Sequence, residues 1–333
     1  MKPISQLAPL LNSPKKIVIT THQNPDADAF GSSLGLYHYL VQKGHQVTVV
    51  SSTYYTNFLQ WMPGTSHILI FEKDEAAVRK VLKDSDMLFC LDFNIYTRTA
   101  SLSSDLKDYN GTKIIIDHHL FPDSDYFDFG ISIPAKSSTC EMVYDYIIAD
   151  DGENLLNKTI AECLYAGVMT DTGGFRFSCT GPDTHRMTAH LLELGAVPNQ
   201  IAESIFDNYE EKRLRLLGHI FSNRLEIFMD KKAALIYLDA QDMQQYNVGQ
   251  GDTEGIVNYP LSINGINFST FMSQKENEIR ISFRSKGNVD VNLFARTYFS
   301  GGGHANAAGG KSTLPMKETI EAYHLALQEF LKS

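Results

Sequence analysis

Carboxylate and imidazole side chains are concentrated in three short segments, each directly after a short apolar run. The segments are His22–Asp28, Leu91–Asp92 and Asp117–His119. A single Asp at such a place is usually a turn former or a helix cap, and a single His is usually a hydrogen-bonded polar residue. If the three runs are strands of one parallel sheet, however, their carboxyl ends meet in one crevice. Four carboxylates and three imidazoles would then converge there.

This convergence predicts a metal site, because carboxylates packed together without cations repel one another and raise one another's pKa values. Oxygen and imidazole ligands without thiolates favour Mn²⁺, with Mg²⁺, Co²⁺ or Zn²⁺ as alternatives. His22, Asp26 and Asp28 lie four and two positions apart on one loop, so they can face two adjacent sites. Two ions about 3.5–4 Å apart would bind an attacking hydroxide and stabilise the charge that develops on a phosphoryl group. Asp171, which follows a helical pattern, is a further candidate at this site.

A second candidate site lies near the end of the chain, in Arg284–Ser285 and in the glycine-rich stretch Gly301–Gly310. Consecutive glycines leave backbone N–H groups open to an anion, and the Arg284 guanidinium suits a phosphate. With His304 inside the same stretch, we expect this segment to hold substrate phosphate while the metal site performs the cleavage. Arg98, six residues after Asp92, either reaches the metal site or pairs on the surface.

The elements that must position these residues follow from hydrophobic patterning. Short, continuously apolar runs predict buried strands at Lys16–Thr21, Gln46–Ser51, Asp86–Asp92 and Lys113–Asp117. Helical patterns lie between and after them, at Ala29–Lys43, Asp74–Lys83, Ser138–Asp150, Leu155–Met169 and Pro182–Leu194. The alternation of strand and helix predicts an α/β fold with an open parallel sheet covered on both faces.

The second half of the chain changes rhythm. Strands are predicted around Ala233–Leu238, Phe268–Ser273 and Ile279–Arg284, and helices near Val291–Phe299 and Lys317–Lys332. The charged, mostly helical stretch before them is typical of a connector. We therefore predict a catalytic metal-binding domain at residues 1–195, a helical linker at 196–225, and a smaller α/β substrate-binding domain at 226–333.

Composition limits the partners and the location. The 333-residue chain has a formal net charge of −10 and no polybasic run, whereas proteins that grip long duplexes need a basic surface to neutralise phosphates. A polyanionic substrate must therefore be small and held at one point. The four scattered cysteines argue for a reducing compartment. Without a signal-peptide pattern or an apolar run of about 20 residues, we expect a cytoplasmic protein with no membrane contact.

Taken together, these motifs resemble the DHH/DHHA1 phosphoesterase family, which is named for a triplet that here is Asp117-His118-His119. The segment His22-QNP-Asp26-A-Asp28 is similar to the family's first motif, and Asp92 to its second. The segments Ser138–Glu141 and Asp171–Thr180 are similar to later motifs, and Gly301-GGHANAAG to the C-terminal nucleotide-binding domain. Within the family, the likeness is to the stand-alone, NrnA-like nanoRNase/3′-phosphoadenosine-5′-phosphate phosphatase group.

The resemblance implies roles for individual residues. One metal would be held by His22, Asp26 and Asp92, and the other by Asp28, Asp92, His118 and Asp171. Asp117 would orient a metal ligand, and His119 would contact the scissile phosphate or act as general acid. The residues expected to bind substrate phosphate or the terminal nucleotide are Arg284, Ser285, Gly302, Gly303 and His304.

The sequence predicts a two-metal phosphoesterase that hydrolyses short oligoribonucleotides to mononucleotides, and adenosine 3′,5′-bisphosphate to AMP as a further substrate. Two enzymatic alternatives stay open: a phosphodiesterase for cyclic or linear dinucleotides, and a single-strand exonuclease. A non-enzymatic alternative is a metal-dependent nucleotide sensor. The preferred nucleotide, the cleavage polarity and the native metal stay open, as does the number of subunits, for which a homodimer is one option.

Overall fold

The computed structural model describes residues 1–207, 210–249 and 251–330. The chain divides into two compact units, Met1–Asn208 and Tyr209–Ser333. Within the described ranges, the longest apolar stretch of any helix is too short to cross a membrane.

The first unit is built on a seven-stranded sheet in which all paired neighbours run parallel. Its strands are β1 (Lys2–Pro3), β2 (Lys16–Thr20), β3 (Gln46–Ser51), β4 (Leu69–Ile70), β5 (Met87–Leu91), β6 (Thr112–Asp117) and β7 (Phe129–Ser132). The spatial order is β1-β7-β6-β5-β2-β3-β4. The strands β6, β5 and β2, which precede the three acidic segments, are therefore immediate neighbours.

The sheet is covered on both faces, which explains why its strands are continuously apolar. All five residues of β5 are buried. Because successive side chains of a strand point to opposite faces, Ile19 and Phe89 belong to one hydrophobic core and Val18 and Leu88 to the other. The prediction of an open parallel sheet with helices on both faces is confirmed.

The part of this unit that the structure describes has seven α-helices: α1 (Ala27–Gln42), α2 (Glu75–Asp84), α3 (Ser103–Lys107), α4 (Thr139–Ala149), α5 (Lys158–Asp171), α6 (Pro182–Glu193) and α7 (Pro198–Phe206). The sequence marks several of their starts with side chains that accept backbone N–H groups. Asp26 caps α1, Ser138 caps α4 and Asn157 caps α5. These caps fix where the helices begin and hence where α1 and α4 enter the site described below.

Two glycines let α1 and α5 approach each other closely. A Cβ on Gly31 of α1 would lie 2.4 Å from the carbonyl oxygen of Cys163 on α5. A Cβ on Gly167 of α5 would lie 2.2 Å from the Cys140 Sγ and 2.9 Å from Oδ1 of Asp28. Only residues without a Cβ fit there, so α1, α4 and α5 converge around Asp28.

The second unit has a mixed six-stranded sheet in the order β12-β13-β11-β10-β9-β8, and among its described residues only β9 and β10 pair in parallel. Its strands are β8 (Leu225–Phe228), β9 (Ala233–Leu238), β10 (Phe268–Lys275), β11 (Glu278–Ser285), β12 (Gly302–His304) and β13 (Ala307–Ser312). Its helices are α8 (Glu211–Asn223), α9 (Ala240–Gln245), α10 (Val291–Tyr298) and α11 (Met316–Phe330). Helices α10 and α11 pack on one face of the sheet and α8 on the other. A second, smaller α/β unit is therefore confirmed.

The predicted connector at 196–225 contains α7 and α8. Ile201 and Ile205 of α7 belong to a core of the first unit, whereas Leu216 and Ile220 of α8 belong to a core of the second. Residues 208 and 209, inside the predicted connector, lie outside the described residues, as does the predicted helix end at Lys332. The domain limits at 195/196 and 225/226 stay a prediction.

Candidate metal centre

The three acidic segments meet at the carboxyl edge of β2, β5 and β6. Asp92 lies between the other two segments and is 2% exposed. Nε2 of His22 lies 3.3 Å from Oδ2 of Asp92, and Nε2 of His118 lies 3.5 Å from its Oδ1. Asp92 therefore has an imidazole on each carboxylate oxygen. Its backbone is in the left-handed region, with φ of 63°, a conformation that Asp tolerates better than most residues.

The first group of ligand atoms comes from His22, Asp26 and Asp92, which offer atoms within 4.8 Å of one another. Nδ1 of His22 lies 2.8 Å from the Gln23 carbonyl, and because a carbonyl only accepts, Nδ1 carries the proton. Nε2 is therefore the nitrogen that faces Asp26 Oδ2, at 4.0 Å. Asp26 uses Oδ1 to cap α1, which leaves Oδ2 directed at this group.

The second group comes from Asp28, Asp92 and His118, all of them buried. Nε2 of His118 lies 3.9 Å from Asp28 Oδ2 and 3.4 Å from Asp171 Oδ2. Nδ1 of His118 faces the Lys136 carbonyl at 3.4 Å, so Nε2 is the nitrogen that faces the acidic groups. Asp171 is the last residue of α5, and the structure brings it to the same place as the strand-end residues.

The amino end of α4 supports the second group. Backbone N–H groups of Thr139 and Cys140 donate to the two carboxylate oxygens of Asp28 at 2.7 and 2.9 Å. The Thr139 hydroxyl donates to Asp92 Oδ1 at 2.9 Å. These donors fix the direction of two carboxylates, as partners outside the ligand set commonly do in metal sites.

Glu141 holds the turn that carries these donors. Its buried carboxylate accepts from the backbone N–H and hydroxyl of Ser137 and from Thr184, and it pairs with Lys136 at 2.9 Å. Burial raises its pKa, but the Ser137 and Lys136 donors outweigh that effect and lower it. The role of Glu141 is not among those predicted from the sequence. The Ser-x-x-Glu pattern from Ser138 was the available signal, because it marks a helix start close to a set of carboxylates.

Asp117 orients His119 through both of its carboxylate oxygens. Oδ1 of Asp117 lies 2.7 Å from His119 Nδ1, and Oδ2 accepts the His119 backbone N–H at 3.0 Å. The carboxylate is fully buried, so the imidazole donates from Nδ1 and is held in one orientation. His119 Nδ1 also lies 3.8 Å from Asp92 Oδ1, which places this pair beside the cluster.

The pKa values show how strongly the cluster attracts positive charge. Burial opposes the charged form of His118, but Asp92 and Asp171 outweigh it and hold the pKa well above its usual value. Burial and the nearby Asp92 raise the pKa of Asp28 to about 7, and burial with Asp28 raises that of Asp171. Protonation adds positive charge to these closely packed carboxylates, and divalent cations would add more. The donor set, oxygen and imidazole nitrogen without thiolate, fits Mn²⁺-class ions.

Arg98 lies next to the first metal-binding loop. It belongs to a 3-10 segment, Tyr96–Leu102, and its carbonyl accepts the Gln23 N–H at 2.8 Å. Burial opposes the charged form of His22, but Asp92 and Asp26 outweigh it and raise its pKa, and the positive charge of Arg98 is a smaller opposing influence. The structure thus brings Arg98 into electrostatic contact with the cluster.

The C-terminal candidates lie in the second unit, where the glycine-rich stretch forms a β-hairpin instead of an open loop. Arg284 and His304 are both register partners of Ala307, on opposite sides of β13. Directly opposed residues share a face, so both side chains stand on one face of the sheet with an Ala between them. Ser285 donates its hydroxyl to Val289 and accepts from Asn306, and the Gly303 N–H donates to Asn292.

The chain is similar in sequence to a known family and to named members of it. Residues 16–168 match the DHH family, N-terminal domain, and residues 230–333 match the DHHA1 domain. A Streptococcus mutans relative named "Probable bifunctional oligoribonuclease and PAP phosphatase NrnA" is 30% identical over 300 residues, which cover 89% of both chains. A Bacillus subtilis relative named "Bifunctional oligoribonuclease and PAP phosphatase NrnA" is 29% identical over 88% of both chains.

Two solved structures are similar. The crystal structure of an exopolyphosphatase-related protein from Bacteroides fragilis has a TM-score of 0.95 and 37% identity, covering 99% of this chain and 97% of that one. The structure of RecJ from Thermus thermophilus in complex with Mn²⁺ has a TM-score of 0.50 and 14% identity, covering 99% of this chain and 54% of RecJ. The second likeness concerns the fold alone.

Proposed function

Since the chain belongs to the DHH family of phosphoesterases and carries a DHHA1 domain, we propose that it is a two-metal hydrolase of short oligoribonucleotides. The observation that carries the proposal is Asp92, whose two carboxylate oxygens face the two imidazoles of separate ligand groups. One carboxylate shared by two groups is the arrangement that two neighbouring cations require.

We propose that His22, Asp26 and Asp92 hold one ion and that Asp28, Asp92, His118 and Asp171 hold the other. The donor set favours Mn²⁺ over Mg²⁺, Co²⁺ or Zn²⁺. When bound, such ions polarise a phosphoryl oxygen and supply hydroxide at neutral pH. A difference in solvent exposure supports two distinct ion sites. The Asp26 side chain in the first group is 56% exposed, whereas Asp28 in the second group is buried.

His119 and Asp117 handle the proton in this proposal. Asp117 holds the Nδ1 proton of His119 and so keeps the ring in one tautomer and orientation. Nε2 of the protonated ring then either donates a hydrogen bond to the scissile phosphate or gives its proton to the leaving oxygen. A fixed imidazole of this kind contributes by general acid–base catalysis.

Substrate selection is proposed from charge and from the relatives. The named relatives act on oligoribonucleotides and PAP, and the −10 net charge suits a small anion held by a few cations. We propose that Arg284, Ser285, Gly302, Gly303, His304 and Arg98 contact phosphate or the terminal nucleotide.

The cytoplasm, whose reducing conditions preserve four free cysteines, is the proposed location, and a homodimer is the proposed assembly.

A substrate panel tests this function. Purified chain with Mn²⁺ is given a dinucleotide, a pentanucleotide, an RNA of tens of nucleotides, a cyclic dinucleotide and adenosine 3′,5′-bisphosphate, and kcat/KM is compared. We expect kcat/KM to be highest for the dinucleotide and the pentanucleotide and far lower for the RNA of tens of nucleotides. A steady rise with length would favour the exonuclease, a preference for the cyclic substrate the cyclic-dinucleotide enzyme, and binding without product release the sensor.

A further inference from the structure

The segment Thr172–Thr180, which directly follows Asp171, has an unusual backbone. Gly173, Gly174 and Phe175 have successive φ values of 59°, 72° and 64°, all in the left-handed region. Glycine enters that region freely, but a phenylalanine does so at a cost. Residues held in such conformations are concentrated at functional sites, where the surrounding structure enforces them.

Thr172 enforces this conformation. It is fully buried, its hydroxyl accepts the Phe175 N–H at 3.0 Å, and its carbonyl accepts the N–H groups of Arg176 and Phe177 at 2.9 and 3.0 Å. The Phe177 carbonyl in turn accepts the Thr180 N–H at 3.0 Å. The backbone on both sides of Phe177 is therefore fixed.

As a result, the Phe175 ring packs inside the protein, whereas the Phe177 ring points outward. Phe175 packs against the rings of Tyr165 and His185, with centroids 6.2 and 5.6 Å away. Phe177 is 46% exposed, and its ring lies over Gly173, where any Cβ would be 2.5 Å from a ring carbon. One face of the Phe177 ring is thus supported by Gly173.

Arg176, the residue before Phe177, is exposed, and a hydrogen bond holds its side chain in place. Its Nε donates to the Gly173 carbonyl at 2.6 Å, which fixes the side chain. Within the described residues, its two terminal guanidinium nitrogens make no hydrogen bond or ion pair. These donors therefore remain able to pair with an anion.

Both ends of the segment are tied to the metal cluster. Asp171, at its start, lies 3.4 Å from His118. Beyond its end, Thr184 at the start of α6 donates to Glu141 at 3.0 Å, the residue that anchors the supporting turn. Arg176 and Phe177 therefore lie in a short segment that is held at the metal cluster on both sides.

We propose that Arg176 and Phe177 form a nucleotide platform, in which the Phe177 ring stacks on a base and the Arg176 guanidinium pairs with a phosphate of the same single-stranded substrate. Aromatic rings stack on every base, so the platform selects nucleotides over other phosphoesters without selecting a sequence. A planar guanidinium suits a phosphate for the reason that it offers two parallel donors. This proposal rests on the proposed function, because it supplies base contacts to the same substrate.

The test compares kcat/KM for a dinucleotide with kcat/KM for two dinucleotides that lack either the 5′ or the 3′ base. Base stacking contributes about 1–3 kcal/mol, or about five- to 150-fold in kcat/KM, so removal of the stacked base should lower the wild-type value by at least about fivefold. Phe177→Leu should abolish that difference and Phe177→Tyr should keep it. Arg176→Gln should raise KM at least about fivefold for all three substrates, and Arg176→Lys should raise it less.

The matched control is Phe206→Leu, since Phe206 is 47% exposed but lies on α7; it should retain the wild-type values. If Phe177→Leu keeps the full advantage of the stacked base, the platform is wrong although the hydrolase stands. If the wild type cleaves no nucleotide, the proposed function fails, and the platform is judged on quenching of a 2-aminopurine dinucleotide. Quenching that Phe177→Leu removes supports it, and quenching unchanged in Phe177→Leu overturns it.

Discussion

The Thr139 hydroxyl donates a 2.9 Å hydrogen bond to Oδ1 of Asp92, the same oxygen that lies 3.5 Å from His118 Nε2. Thr139 is buried at the first position of α4, so this donor cannot move away. The Asp92 carboxylate is therefore directed by a residue that lies outside both ligand groups.

Thr139→Val should weaken Mn²⁺ binding by about 10- to 100-fold, because a ligand that loses its orienting partner is no longer held in the binding direction. Calorimetric titration with Mn²⁺ measures this directly. Thr319→Val is the control. It removes a buried hydroxyl that donates to the Leu314 carbonyl in the second unit at a cost of about 1 kcal/mol in the free energy of unfolding, and it should leave the Mn²⁺ affinity near that of the wild type. Equal affinities in all three proteins would contradict the role given to Thr139.

Glu141→Gln should weaken Mn²⁺ binding and lower the free energy of unfolding by about 1–3 kcal/mol, because the Ser137 and Thr184 donors lose a charged, buried acceptor. The amide also cannot accept from all the donors around Ser137. Asp145 pairs with Lys136, as Glu141 does, but is 44% exposed. Asp145→Asn should therefore cost less than about 1 kcal/mol and keep Mn²⁺ binding. Urea unfolding and Mn²⁺ titration of both variants check this pair, and a larger effect of Asp145→Asn would show that Glu141 is not the anchor.

The sequence was informative where position along a strand determines position in space. The ends of β2, β5 and β6 could be located from apolar runs, and a parallel sheet then requires that neighbouring ends meet. The sequence could not show that these three strands are neighbours. That adjacency depends on the connections between them, and it is the reason that Asp92 lies between His22 and His118.

Contacts made between distant segments could not be predicted. Asp171 ends a helix, so nothing in its local sequence directs it toward His118. The short strands β7, β8 and β12 have no extended apolar pattern. The glycine-rich stretch favours a loop by composition, yet it pairs as β12 and β13, where a Cβ on Gly303 would lie 2.4 Å from the Ala307 carbonyl. These glycines permit close strand pairing, and composition alone does not distinguish that use from an anion-binding loop.

Gly167→Ala should destabilise the first unit by about 1–3 kcal/mol and weaken Mn²⁺ binding, because the new methyl group would press on the Cys140 Sγ and on Asp28. Gly218→Ala is the control. A Cβ there meets no atom within 4 Å, and replacing a helical glycine by alanine should stabilise α8 by up to about 1 kcal/mol. Urea unfolding of the two variants should give changes of opposite sign. A Gly167→Ala variant with wild-type stability and Mn²⁺ affinity would show that α1 and α5 can separate without cost.

Asp242 gives the second unit a predictable pH dependence. The side chain is 1% exposed and accepts from Arg224 at 2.7 Å and from His219 at 2.8 Å. Burial opposes the charge, but Arg224 and the Asp239 N–H outweigh it, so the pKa of Asp242 falls below 3.8. A folded-state pKa below the unfolded one means that the carboxylate stabilises the fold above about pH 4. That contribution is lost as the pH falls through the folded-state pKa.

Asp242→Asn should therefore lower the free energy of unfolding by about 2–3 kcal/mol at pH 7. The difference from the wild type should shrink toward pH 3, where the wild-type carboxyl begins to protonate. Urea unfolding at both pH values measures it. Asp230→Asn, at an exposed position of the same unit, should change neither value. A difference that is as large at pH 3 as at pH 7 would mean that the charge of Asp242 is not what stabilises the unit.

The most direct test of the two-metal proposal is the rate of mononucleotide release from a dinucleotide as Mn²⁺ is added to chelator-treated protein. We expect no hydrolysis without metal and an activity that saturates after two Mn²⁺ have bound per chain. Asp92→Ala removes the carboxylate that both ligand groups share, and it should lower the activity by at least about a hundredfold at every Mn²⁺ concentration. Full hydrolysis by the chelated protein, or wild-type activity in Asp92→Ala, would contradict the two-metal account.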